Sequence, residues 1–94
     1  MPGIVRNGDI DSGHGCFPPR SNIASSSDVF VDNLAVVRNG DILQSHCCPN
    51  HGCHIGVYLG NNLVYANNMA IQKQGDPISC GSICLQGSST TFIG

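Results

Sequence analysis

Apolar positions along this chain come in short bursts, and no window repeats them with the spacing of an amphipathic helix. The bursts are rich in β-branched and aromatic residues: Val29-Phe30-Val31, Val64-Tyr65-Ala66 and Thr91-Phe92-Ile93. Gly, Asn, Asp and Ser bound them, which predicts short strands joined by tight turns and an all-β fold class. "VDNLAVV" (31–37) and "ANNMAIQ" (66–72) read as hairpins, with Asp-Asn and Asn-Asn at positions that tolerate positive φ. "GVYLG" (56–60) reads as a further strand. "CFPPR" (16–20) reads as loop, because two prolines cannot sit within a central strand.

The pattern repeats. "VRNGDIDSGH" (5–14) and "VRNGDILQSH" (37–46) match at seven of ten positions. "KQGDPISC" (73–80) keeps the Gly-Asp and, with one deletion, places Cys80 where the others place His14 and His46. Each copy is followed by a second element: "SSSDVFVDN" (25–33), "GNNLVYANN" (60–68) and "GSSTTFIG" (87–94). Three similar units predict pseudo-threefold symmetry, in which equivalent positions meet near one axis. The Gly-Asp pairs themselves are read as turn chemistry rather than as catalytic carboxylates.

Composition then narrows the class. At 94 residues the chain is read as one domain, 1–94, with a thin core: three Phe, two Tyr and no Trp, against twelve Gly and five Pro. Such a chain is expected to need a disulfide, a metal or a partner surface as a staple. The formal charge is −2, with only Arg6, Arg20, Arg38 and Lys73 basic, which argues against a nucleic-acid partner. No segment is long and apolar enough to span a bilayer, and "MPGIVRNGDIDSGHG" lacks the features of a secretory signal. The expectation is synthesis in the cytoplasm, with any export by another route. In that compartment Cys16, Cys47, Cys48, Cys53, Cys80 and Cys84 would stay largely reduced, so disulfides rank second to a metal as the staple.

"QSHCCPNHGCHIG" (44–56) packs three His and three Cys into nine positions, 46–54. The repeat makes His14, His46 and Cys80 three ligands of one site, and a tetrahedral zinc needs a fourth. His54 or His51 must supply it. His54 is preferred because it adjoins "GVYLG", whereas His51 sits at the tip of a loop. Four protein ligands leave no open position, so the zinc would be structural. The other cysteines, Cys16, Cys47, Cys48, Cys53 and Cys84, are then expected to be mostly small buried thiols, with a disulfide among Cys47, Cys48 and Cys53 left open. Three rivals remain. One is a Cys/His hydrolase with Cys47, Cys48 or Cys53 as nucleophile. Another is an all-Cys zinc site from Cys48, Cys53, Cys80 and Cys84. The last is a disulfide-stabilised binding module.

Taken together, "MPGIVRNGD", "GHGCFPPR", "VFVDNLAVVRNGD", "SHCC", "CHIG" and "GDPISCGSICLQGSSTTFIG" resemble the PAAR-repeat proteins, which cap the spikes of type VI secretion systems and contractile phage tails. The resemblance covers essentially the whole chain. It implies a small cone of short β-hairpins whose base sits on a trimeric β-helical spike protein (VgrG or a phage central spike), one cap per trimer. It also implies one structural zinc near the point, with His14, His46, His54 and Cys80 as ligands. The function so implied is mechanical, a sharp tip driven through a target membrane, with no catalysis and with effector proteins as further partners. Ser25-Ser26 and Gly60-Asn61 depart from the Gly-Ser usual in the family's strand-opening turn. Many family members carry toxin domains beside the repeat, and this sequence reads as a bare tip.

Overall fold

The computed structural model describes residues 2–93, so Met1 and Gly94, the outermost residues of the 1–94 domain reading and of the quoted end motifs, lie outside it. Among the described residues there is no helix, and the fold is all-β. Six short strands form three antiparallel hairpins. They are β1 (Phe30–Val31) with β2 (Leu34–Ala35), β3 (His46–Cys48) with β4 (Gly52–His54), and β5 (Tyr65–Ala66) with β6 (Met69–Ala70).

Turn chemistry sets two of these hairpins. Asp32 and Asn33 have φ of 55° and 65°, and Asn67 and Asn68 have φ of 55° and 64°. Two consecutive left-handed residues make the turn type whose twist matches paired strands, and Asn and Asp enter that region more readily than other side chains. Pairing is Phe30 with Ala35 in the first hairpin and Tyr65 with Ala70 in the second. At the equivalent place in the third unit, Phe92 pairs with Gly3. The start of the chain therefore completes the last unit.

The same relay runs through the interior. Val5 N–H donates to the Gln72 carbonyl (2.9 Å), Gln72 N–H to Val37 (2.9 Å) and Val37 N–H to Val5 (3.0 Å). Isolated bridges pair Arg6 with Val36, Arg38 with Ile71 and Lys73 with Ile4, again each unit with the next and the last with the first. These are equivalent positions in the three copies, so the sequence repeat is a cycle of backbone pairings.

The Gly-Asp turns are structural, as the turn reading expects. Gly8, Gly40 and Gly75 have φ of 94°, 91° and 91°, a region that strains any residue with a Cβ. Each following Asp is buried and accepts the backbone N–H three residues back at 2.8 Å, from Arg6, Arg38 and Lys73. The same basic side chains close ion pairs at 3.0, 2.9 and 3.2 Å. Three equivalent clasps, two with Arg and one with Lys, thus hold the three units.

The core has two layers. Ile4, Val36, Ala66, Ile71 and Ile93 form one, with Val29 and Val31 packed against it. Val5, Val37, Leu43, Tyr58, Ile78 and Cys84 form the other, and Cys80 packs against that layer. Two positions break the apolar pattern. Gln72 stands where the other units have Val5 and Val37; its amide donates to the carbonyls of Gly60 and Ala70 and accepts the Gly60 N–H. Asp11 stands where they have Leu43 and Ile78.

Candidate metal centre

Three segments deliver the histidines. His14 opens a two-residue turn, exchanging backbone hydrogen bonds with Phe17 at 3.1 and 2.9 Å across Gly15 and Cys16. Gly15 has φ of 54°, as the first central position of a type II′ turn requires. His46 and His54 lie directly opposite each other in the β3–β4 register. That hairpin turns through Pro49 and Asn50, the latter at φ 68°, and the His51 N–H donates back to the Cys48 carbonyl at 3.0 Å. Proline before a left-handed residue is the signature of a type II turn. The structure differs here from the sequence expectation. "GVYLG" forms no continuous strand; Val57 and Tyr58 make isolated bridges to Ile42 and Ile78, and β4 holds His54 instead.

His14, His46, His54 and Cys80 come together, each offering a ligand atom within 4.8 Å of the others. His54 Nε2 lies 3.0 Å from His14 Nε2 and 2.7 Å from His46 Nε2. The Phe17 ring walls the three imidazoles, with centroids 4.9, 4.9 and 4.4 Å from His14, His46 and His54. His46 is buried and the other three are half-buried.

Hydrogen bonding alone cannot satisfy this triad. His46 Nδ1 lies 2.9 Å from the Pro18 carbonyl oxygen, which can only accept, so the proton belongs on Nδ1 and Nε2 presents a lone pair. His54 Nε2 then faces two nitrogens with one proton at most, so one of its short contacts stays unpaired. Desolvation, and then repulsion from His46, His14 and Arg20, push the His54 pKa down, which favours the neutral imidazole that a metal ion binds. A tetrahedral cation bonded at about 2.0–2.1 Å sets its nitrogen ligands roughly 3.3 Å apart, so the 3.0 Å contact would open by about 0.3 Å and the 2.7 Å contact by about 0.6 Å to admit it. The residues fit a metal ion.

Behind Cys80 lies a residue that sequence reasoning did not single out. Arg20 is buried, and its Nη2 donates to the Cys80 Sγ at 3.0 Å. Its Nη1 donates to the carbonyls of Gln44 (3.0 Å) and His54 (3.1 Å). Arg20 Nε is 3.4 Å from Asp11 Oδ2, an ion pair by distance, although that N–H has no aligned acceptor. Asp11 is held in turn by the Arg20 backbone N–H (2.8 Å) and the Ser82 hydroxyl (2.9 Å). A signal existed: Asp11 is the polar residue at a repeat position otherwise filled by Leu43 and Ile78.

The remaining cysteines correct the thiol expectation. Cys16 is bonded to Cys48 and Cys47 to Cys53, and of these four only Cys48 is buried. The physical reason is proximity: Cys47 and Cys53 are directly opposed on β3 and β4, and the His14–Phe17 turn carries Cys16 against Cys48. Cys84 alone fits the expectation, buried beside Tyr58 with its pKa pushed up to about 12 by desolvation. Cys48, Cys53, Cys80 and Cys84 do not gather into one site among the described residues. Cys47, Cys48 and Cys53, the nucleophile candidates, are all in disulfides. His51 stands apart from the triad, next to Cys16 and Cys48. Among the described residues no pocket is present.

No protein-family model matches this chain, and no curated protein matches it.

Proposed function

We propose that this chain is a structural spike tip of the PAAR-repeat kind, which caps a trimeric β-helical spike and carries one zinc at its point. The observation that carries the reading is the cyclic pairing: Phe30 with Ala35, Tyr65 with Ala70 and Phe92 with Gly3. A single chain whose units close on themselves in threes can meet each subunit of a trimer in the same way. Pseudo-threefold symmetry and a conical shape follow on this reading; the extents of 39 × 24 × 22 Å describe an elongated body. The three equivalent aromatics, Phe30, Tyr65 and Phe92, are 57%, 58% and 43% exposed, and Leu63 and Val64 lie bare beside Tyr65. An apolar surface repeated in threes suits a docking face on such a partner.

Zinc is the ion best matched to three imidazoles and one thiolate in a closed set of four ligands. The cation would pin the His14 turn, the β3–β4 hairpin and the Cys80 turn into one rigid end, and no turnover is required. Export through a contractile machine, or a place in a phage tail, would need no signal segment. Effector proteins could ride on the tip, and its contact with a target membrane would be transient.

The test is co-expression with a candidate trimeric spike protein, scoring one chain per trimer and, in the disulfide-bonded protein, one zinc. Chelation or His14→Ala should remove the zinc and destabilise the cap, and Phe30→Glu with Tyr65→Glu should abolish co-purification while zinc stays bound. Full retention of zinc by His14→Ala, or unimpaired capture by the charged variant, would overturn the reading. A second reading, a disulfide-stabilised binding module, is favoured by the Cys16–Cys48 and Cys47–Cys53 bonds. Thiol counting under denaturing conditions decides it, since six free thiols exclude it.

A further inference from the structure

Beside the first cluster lies a second set of soft ligands that the tip function does not use. The ligand atoms of Cys16, Cys48 and His51 all lie within 4.8 Å of one another. Their convergence is built by two turns. The Gly15-Cys16 turn brings Cys16 against β3, where the Cα atoms of Cys16 and Cys48 stand 5.6 Å apart. The Pro49-Asn50 turn folds the chain back so that His51 returns to Cys48, fixed by the 3.0 Å bond from its N–H to the Cys48 carbonyl. Cys16 and His51 are exposed, so a cation can reach the set from solvent.

We propose that Cys16, Cys48 and His51 form a second metal site, open only when the Cys16–Cys48 disulfide is reduced. Two thiolates and an imidazole are a zinc ligand set, with a fourth position left for water or a donor from another molecule. The exchange balances simply. A two-electron reductant, a dithiol or a phosphine, cleaves the S–S bond and yields two thiols. The incoming zinc then displaces both thiol protons and takes the neutral His51 nitrogen as its third ligand. Exchange with the disulfide form of a dithiol–disulfide protein returns the cystine, reduces that disulfide to a dithiol and releases the ion. The site is therefore filled under reducing conditions and replaced by a covalent cross-link under oxidising ones. Either way the His14 turn stays tied to β3, because Cys16 lies two residues beyond His14 and Cys48 two beyond His46.

The test is metal stoichiometry on the full chain, with cobalt(II) as the spectroscopic probe. Each protein is titrated once as oxidised and once after reduction with a phosphine, and the readout is the difference between the two. That difference does not depend on the spike-tip reading or on occupancy of the first site. Wild type should bind one additional equivalent when reduced, with thiolate-to-cobalt charge-transfer absorption. His51→Ala should weaken that equivalent at least tenfold, and Cys16→Ser should remove it; both positions are exposed, and reduced wild type, which also lacks the Cys16–Cys48 bond, is the reference for Cys16→Ser. Cys47→Ser with Cys53→Ser should keep it. The same stoichiometry in both redox states would overturn the proposal. So would an extra equivalent that survives in Cys16→Ser, or one that vanishes in the Cys47/Cys53 pair variant.

Discussion

Arg20 Nη2 lies 3.0 Å from the Sγ of Cys80, and the same guanidinium is 3.4 Å from a carboxylate oxygen of Asp11. The buried guanidinium holds the Cys80 sulfur in place by a hydrogen bond, and the buried anion behind it offsets its charge. Both side chains are almost entirely withdrawn from water, at 3% and 1% relative exposure. Arg20→Met would leave Asp11 charged and unpaired, which costs about 3–5 kcal/mol. Replacing both by apolar residues, Asp11→Leu with Arg20→Met, restores the residue type that the other units carry at Leu43. The double variant should recover much of the lost stability and still bind metal more weakly than wild type. Denaturant melts of the two proteins, with metal titration alongside, separate the contributions.

Gly56 makes a neighbouring contact testable. A Cβ added there would meet the Arg20 Nη2, the Ile78 Cγ2 at 2.8 Å and the Cys80 Sγ at 3.3 Å. Gly56→Ala should therefore push Arg20 away from Cys80 and destabilise the protein by about 1–3 kcal/mol, as overpacking does. Thermal melts measure the stability loss. A parallel fall in metal affinity would locate the disturbance at Cys80 rather than in the core.

The two histidine candidates for a fourth ligand should behave differently under oxidising conditions. His54 lies at the centre of the triad, while His51 lies with Cys16 and Cys48. In the disulfide-bonded protein His54→Ala should lose the metal and lower Tm by about 10 °C or more. His51→Ala should keep both unchanged. Metal analysis after gel filtration and calorimetry check each arm.

The hairpins built on Asp32-Asn33 and Asn67-Asn68 were legible because their turn residues are chemically specific. The meeting of His14, His46 and Cys80 was legible because a repeat that closes on itself brings equivalent positions together. The β3–β4 hairpin was not, since "HCC" and "GCH" lack any apolar alternation and a proline opens the turn between them. Nor was the disulfide connectivity, which spacing does not specify. The pairing of Phe92 with Gly3 joins opposite ends of the chain, and no local pattern announces it.

Asn33 and Asn68, at φ of 65° and 64°, test the turn argument directly. Alanine in the left-handed region costs roughly 1–2 kcal/mol, and glycine costs little there. Asn33→Ala and Asn68→Ala should each lower Tm by at least about 4 °C, additively, since they sit in separate hairpins. Glycine at the same positions should leave Tm close to wild type. A loss with glycine as large as that with alanine would show that the side chains act through contacts and not through the backbone.

Alkaline pH should unfold the protein in a defined window. Burial pushes the Cys84 thiol from 9.0 to about 12, and the Tyr58 phenol is raised in the same way. Both pack in the core layer that touches Cys80. Each is held neutral by the fold, and a group whose folded pKa is raised stabilises the protein fully below its unfolded pKa. As pH rises above about 9 the unfolded chain ionises first, so stability falls, and the loss is complete only beyond about 12. For Cys84 alone this amounts to something on the order of 4 kcal/mol. Denaturant midpoints taken from pH 8 to pH 11 should fall steadily, and Cys84→Ala, although less stable at pH 8, should fall less steeply. Parallel slopes for the two proteins would show that the thiol does not govern the transition. Below pH 9 Cys84 should also resist alkylation in the native state and react at once in denaturant.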